Sequence, residues 1–281
     1  MAGVSMKDIK SRIKSMQSTR QITKAMEMVA ASKLHSAQAR AVASRPYFET
    51  LYATMNDIAD SVRDFESPYL QVKEGKELFI VIAGDRGLAG GYNSNVLKLA
   101  YSQMDKENTA VLPIGRKAVD FFRQRGIPLL TEQYAEAADV SIGECYSIAR
   151  LLCSKFLGGE FTSAHLAYTH FASLLSQTPS ALQMLPLKIS RQKNDPVKFT
   201  LYDSGAGSVF HKIVPEYLGG LLYGALCESI ASEQASRRMA MDSATKNADE
   251  MIGDLSLQYN RARQGAITQE ITEIVAGAEH T

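Results

Sequence analysis

Apolar and small residues recur three or four positions apart near both ends of the chain. Toward the C-terminus Ala244, Ala248, Met251, Leu255, Tyr259, Ala262 and Ala266 make one such stripe, with Ile267, Ile271 and Ile274 taking over at the end. That spacing is one face of a helix. The sideways drift is what a seam shows when it winds around a partner helix. No proline interrupts Glu228 to Ala276, and at about 1.5 Å per residue such a helix measures on the order of 75 Å. A second stripe opens the chain, through Ile9, Ile13, Met16, Thr19, Thr23, Met26, Ala30, Leu34, Ala37 and Ala41. Pro46 is expected to bend or interrupt this helix, because proline lacks an N–H and crowds the turn before it. Helical spacing resumes through Leu51, Met55, Ile58 and Val62 and ends near Ser67 and Pro68.

Between the helices the period changes. Leu78 to Ala83 reads LFIVIA, a continuous apolar run of the kind buried on both faces of a parallel sheet. A glycine-rich turn follows, GDRGLAGGYNSN from Gly84 to Asn95, then a helical pattern to about Lys106. Further strands are expected near Ala110 to Ile114, Pro128 to Leu130, Ala164 to Phe171, Leu182 to Ile189 and Lys198 to Tyr202. Helices are expected near Arg116 to Gln124 and Ile142 to Leu157. Strands alternating with helices predict a compact α/β domain. The predicted fold class is therefore α/β: a long antiparallel coiled coil of N- and C-terminal helices with an inserted Rossmann-like domain. The expected division is 1–67 and 213–277 for the two long helices and 76–203 for the α/β domain.

Charge selects the partner of each long helix. Residues 1–50 carry nine Lys or Arg against Asp8, Glu27 and Glu49, whereas from Glu228 onward nine acidic residues face five basic ones. Opposite signs flanking two apolar seams favour pairing within the chain over pairing with a copy. The competing reading, a basic arm for nucleic acid, lacks interleaved aromatics and ignores the acidic helix. Over all 281 residues the net charge is only +1, which implies no global attraction to nucleic acid or to an acidic membrane. The longest apolar runs, Leu78 to Gly84 and Tyr217 to Cys227, fall short of the roughly 20 residues that cross a bilayer. The opening residues carry no signal-peptide or transit pattern. Cys145, Cys153 and Cys227 lack C-x-x-C spacing and are odd in number, so a reducing, cytosolic setting is expected.

Candidate chemistry is thin. Strand, glycine turn and helix N-terminus together make an anion cradle, yet Gly90 is followed by Gly91, Tyr92 and Asn93, where a Walker loop needs Lys and Ser or Thr. Nor do Gly84, Gly87, Gly90 and Gly91 fit G-x-G-x-x-G, so a tight turn is favoured over a nucleotide site. Asp85 and Arg86 read as a structural pair. His35, His165, His170, His211 and His280 are scattered without metal-ligand spacing, and no nucleophile–base arrangement can be argued from order or spacing. No catalytic, cofactor-binding or metal-binding residues are expected.

Three blocks carry a resemblance. IKSRIKSMQSTRQITKAMEMVAASKL from Ile9 to Leu34, the turn GDRGLAGGYNSN, and the closing ASEQASRRMAMDSATKNADEMIGDLSLQYNRARQGAITQEITEIVAGA together resemble the gamma subunit of F-type ATP synthases. The resemblance implies a central-stalk rotor that couples ion flow to ATP synthesis or hydrolysis. It implies as partners the alpha and beta subunits of the hexameric head, the epsilon subunit and the membrane c-ring, with catalysis in the beta subunits. It places the chain peripherally at the cytoplasmic face of a bacterial cell membrane. By matching positions it implies rotor–stator contacts at Met26, Arg237 and Gln264, the last two as polar partners of the first across the helix pair. It implies contacts of the foot with the membrane ring at Tyr202 and Asp203. The alternative reading is a free-standing nucleotide-binding α/β protein whose helices only oligomerise it.

Overall fold

A computed structural model describes residues 5–61, 66–188 and 205–278. The elements are α1 (Met6–Ser61), β1 (Glu77–Ile82), α2 (Tyr92–Gln103), β2 (Thr109–Ile114), α3 (Arg116–Arg123), α4 (Ile142–Leu157), β3 (Ser163–Phe171), β4 (Gln177–Leu185) and α5 (Ala206–Ala278). The chain divides into two compact units, one of residues 1–30 with 237–281 and the other of residues 31–236.

The first unit is a helix pair. Thr23 Oγ1 meets Thr245 Oγ1 at 2.7 Å, and Arg20 reaches Asp249 at 2.6 Å. A step back along α1 is a step forward along α5, so the helices run antiparallel. The ion pair joins a cation of α1 to a carboxylate of α5, the complementarity expected from their opposite charge. Ile9, Thr23 and Ala30 of α1 and Met241, Thr245 and Ala248 of α5 are buried in the seam. Ile252, Leu255, Tyr259, Ala262 and Ala266 continue it half-buried. Met251, expected in the stripe, is 51% exposed. The step from Ala248 to Leu255 is taken through Ile252, and Met251 lies about 100° away around the helix. Ile267, Ile271 and Ile274 are exposed at 47, 57 and 70%, because by the Thr23–Thr245 register the described part of α1 has run out by about residue 264 of α5.

The second unit is built on a four-stranded sheet of order β2-β1-β3-β4, in which β1 runs parallel to β2 and β3, and β4 is antiparallel to β3. The run LFIVIA is apolar throughout because its side chains alternate between two covered faces. Leu78, Ile80 and Ile82 join Leu112, Ile114 and Leu166 under α4 and the segments of α1 and α5 in this unit, including Ile58, Ile148, Leu152, Phe210 and Leu218. Phe79, Val81 and Ala83 face the other way, onto Val96, Leu97 and Ala100 of α2 and Ala118 and Phe122 of α3. Two covered faces of a mostly parallel sheet are the Rossmann-like arrangement expected. Within this unit Tyr52 stacks near Tyr217 at 5.7 Å, while Leu34 and Ala37 cluster with Ala231 and Ala235, so α1 and α5 are antiparallel here too.

Helix α4 runs from Ile142 to Leu157 as the pattern predicts, opened by a capping box in which Ser141 Oγ accepts from Glu144 N and Glu144 Oε2 accepts from Ser141 N. Three expectations change. Pro46 does not interrupt α1, which continues through it as α5 continues through Pro215. Pro128 to Leu130 is not a strand but a single parallel bridge, Val111 to Leu129, along the outer edge of β2. Strand β4 begins at Gln177 rather than Leu182 and ends at Leu185. The strand expected at Lys198 to Tyr202 lies outside the described residues.

Candidate functional site

In the glycine turn, where phosphate chemistry had to be weighed, the first backbone donor is taken by a side chain of α2, and the donors at the neighbouring mouth of α3 are taken by a carboxylate of the turn. Asp85 Oδ1 accepts from Ala137 N at 2.8 Å and from Arg116 N at 3.3 Å, and Oδ2 accepts from Ala138 N at 3.3 Å. Arg116 is the first residue of α3, so the carboxylate sits where a bound anion would. Asn93 Oδ1 accepts from Gly84 N at 2.8 Å, and Asn93 Nδ2 donates to Arg86 O at 3.1 Å, closing the turn from the other side. A β-carbon at Gly84 would lie 2.9 Å from the carboxylate carbon of Glu233. Two carboxylates beside the turn repel phosphate. Gly115 has φ +97°, and a β-carbon there would come 2.0 Å from Ala83 O, so the turn from β2 into α3 needs glycine.

Other titratable groups serve packing. Burial pushes the thiols of Cys145 and Cys153 up, to about 12 and about 11, and raises that of Cys227 as well. All three are buried and free. His165 stacks on Phe79 at 4.8 Å, and burial lowers its pKa. Among the described residues no group of three or more His, Cys, Asp or Glu is placed to hold a metal ion, and no helix is long and apolar enough to cross a membrane.

The residues singled out as rotor contacts lie in the helix-pair unit. Met26 and Arg237 are half-buried, and Gln264 is exposed. Met26 follows buried Thr23 by three positions and precedes buried Ala30 by four, so part of its side chain belongs to the seam. Arg237 and Gln264 stand 27 residues apart on one helix, about 40 Å along its axis. The Thr23–Thr245 register sets Met26 opposite the stretch around Asp242. The three therefore do not converge on one spot. Tyr202 and Asp203 lie outside the described residues. What sequence reasoning passed over is an outward apolar set on the same unit: Ile22, Met28 and Val29 on α1 are exposed at 57, 62 and 55%, and Leu257 on α5 at 58%. Exposed apolar residues in number mark surfaces that meet a partner.

A family model described as ATP synthase matches residues 5–280. The ATP synthase gamma chain of Ruminococcus albus is 46% identical over 275 residues, covering 96% of this chain and 96% of that one. The chain belongs to the ATP synthase gamma chain family. The gamma chain of Lachnoclostridium phytofermentans is 41% identical over 286 residues, 98% of each chain. Solved structures agree in fold. A chain of the Euglena gracilis mitochondrial ATP synthase, described as OSCP/F1/c-ring in rotational state 3, superposes with a TM-score of 0.65 at 18% identity, covering 96% of this chain and 92% of that one. One from the central stalk/c-ring of Tetrahymena thermophila mitochondrial ATP synthase gives 0.61 at 22% identity, covering 79% and 99%. The gamma-chain match runs through both terminal helices and the sheet between them, including the middle of the chain outside the three blocks that carry the resemblance.

Proposed function

We propose that the chain is the central-stalk rotor subunit of an F-type ATP synthase, turning as ions cross the membrane and so coupling that flow to ATP synthesis or hydrolysis. The observation that carries this is kinship to gamma chains over almost the whole length, joined to an antiparallel pair formed by the two ends of the chain. An asymmetric helix pair meeting three equivalent neighbours gives each a different set of contacts, and differential contact shifts a conformational equilibrium. The chain then holds no active site; the chemistry belongs to the beta subunits of its partner head. Its partners are the alpha and beta subunits, the epsilon subunit and the c-ring. Its location is peripheral, at the cytoplasmic face of a bacterial membrane, a reading supported by the bacterial relatives.

Met26, Arg237 and Gln264 are proposed as contacts with the head, spread along the pair. Arg237 suits an acidic loop, since guanidinium keeps its charge and forms paired bonds to carboxylate. Asn93 on the Gly84 donor and the Asp85 carboxylate in the mouth of α3 speak against the nucleotide-binding alternative. The test is to tag the chain, extract native membranes with mild detergent, and follow ATP-driven rotation of a bead fixed to the tag. Co-recovery of the head subunits with stepwise rotation supports the proposal. Recovery of the chain alone, binding ATP by itself, refutes it.

A further inference from the structure

Strand β3 outlasts its neighbour. The register of β1 with β3 ends at Val81 opposite Ala167, but β3 continues to Phe171. Beyond Ala167 no strand among the described residues lies beside its inner edge. Thr169 faces Pro179 across the β4 ladder. Proline has no N–H, so this is a non-hydrogen-bonded pair, and the N–H and C=O of Thr169 point away from β4, toward the edge β1 has left. Helix α5 fills that place with hydroxyls. Thr169 N donates to Ser229 Oγ at 3.1 Å, and Ser232 Oγ donates to Thr169 O at 3.2 Å.

Both serines are 0% exposed, and Thr169 is 3% exposed. Spaced three apart, they lie on one face of α5, and Ser236, four further on, extends the row. Ser236 Oγ donates to Gln177 Oε1 at 3.0 Å, while Gln177 Nε2 donates to Ser173 O and Leu174 O in the β3–β4 turn. On the rim of the same contact His170 Nδ1 lies 2.7 Å from Glu228 Oε2. Apolar packing alone tolerates a helix rolling or sliding by a fraction of an ångström, because it is non-directional. A donor and an acceptor gripping the two polar groups of one backbone residue do not.

We infer that Ser229 and Ser232 are positioning residues that stand in for a missing strand and lock the rotational register of α5 against the sheet, so that torque passes between helix and sheet without slip. The inference rests on the rotor reading above. Two measurements separate its parts. Hydrogen exchange on the tagged full-length chain reads the clamp itself. S229A removes the acceptor of the Thr169 amide and raises its exchange rate about fivefold to tenfold, whereas S232A removes the donor to the carbonyl and leaves that amide protected.

The second measurement uses the assembled complex in vesicles and compares ATP-driven ion transport with ATP hydrolysed. The double variant S229A/S232A is expected to keep hydrolysis while transport per ATP falls at least about twofold. If the double variant fails to assemble, S232A alone carries this comparison. Unchanged Thr169 exchange in S229A overturns the clamp. A raised exchange rate with transport per ATP at the wild-type value overturns its part in torque transfer. Wild-type complex without any ATP-driven transport overturns the rotor reading and leaves the exchange result standing.

Discussion

Replacing Asp85 by alanine tests whether the glycine turn is held by its own carboxylate. Three N–H groups lose their acceptor: Ala137 N at 2.8 Å, and Arg116 N and Ala138 N at 3.3 Å. Ala137 is only 4% exposed, so its N–H is left without water and forfeits a charged hydrogen bond, about 1.5–3 kcal/mol. The two longer bonds are open to solvent, and losing a cap of that kind costs about 0.5–1 kcal/mol in all. The sum is on the order of 3 kcal/mol. The three buried thiols report on this unit alone, because Cys145, Cys153 and Cys227 all lie within residues 31–236. Pulse labelling with a thiol reagent across a urea series therefore gives the unfolding midpoint of the sheet unit. With a slope of about 2–3 kcal/mol per molar urea, D85A lowers the midpoint by roughly 1 M. Millimolar formate, which refills the vacated donors with a carboxylate, recovers part of the loss. A midpoint within about 0.2 M of wild type refutes the capping argument and reopens the turn to an external anion.

Three further outcomes follow from named contacts. A β-carbon at Gly219 would lie 2.3 Å from the Tyr146 ring, so G219A destabilises the sheet unit by about 2–4 kcal/mol, and trimming the ring in G219A/Y146A recovers part of it; additive midpoints in the double-mutant cycle refute the clash. T23V, which removes the hydroxyl bond across the seam while Thr245 Oγ1 still donates to Met241 O, costs about 1 kcal/mol in thermal unfolding, and T23V/T245V costs less than the two single changes together. The thiols of Cys145 and Cys153 titrate higher in the folded chain, at about 12 and about 11, than when exposed. Their contribution to stability is thus whole below about pH 8.5 and is lost as pH rises through the folded values. Unfolding midpoints measured between pH 8 and 11 should fall, and C145A should flatten the slope by up to about 1.4 kcal/mol per pH unit.

How legible the molecule was in its sequence depended on whether a residue's role was set by neighbours in sequence or in space. LFIVIA announces a strand buried on both faces, and the helical pattern from Ile142 to Leu157 marks out α4. Opposite charge on the terminal helices foretold Arg20 with Asp249. Gln177 to Ser180 did not read as strand, since its residues are polar or small and Pro179 reads as a breaker; only the unpaired side of the β4 ladder makes that proline harmless. Pro46 misleads for a related reason, because a long helix can lose one internal bond and continue. The seam slipped from Met251 to Ile252 because side-chain volume cannot reveal the angle at which two helices wind. At the candidate site, Met26, Arg237 and Gln264 came from resemblance, and only the structure shows that they are strung along the pair. Ser229 and Ser232 were invisible, since serine on a helix signals nothing until the strand end beside it is known.

The carboxylate of Asp85 in the N-terminal mouth of α3 makes that end of the helix self-sufficient. A phosphate arriving from solvent would have to displace a side chain tethered to the same chain, a competitor that dilution never removes.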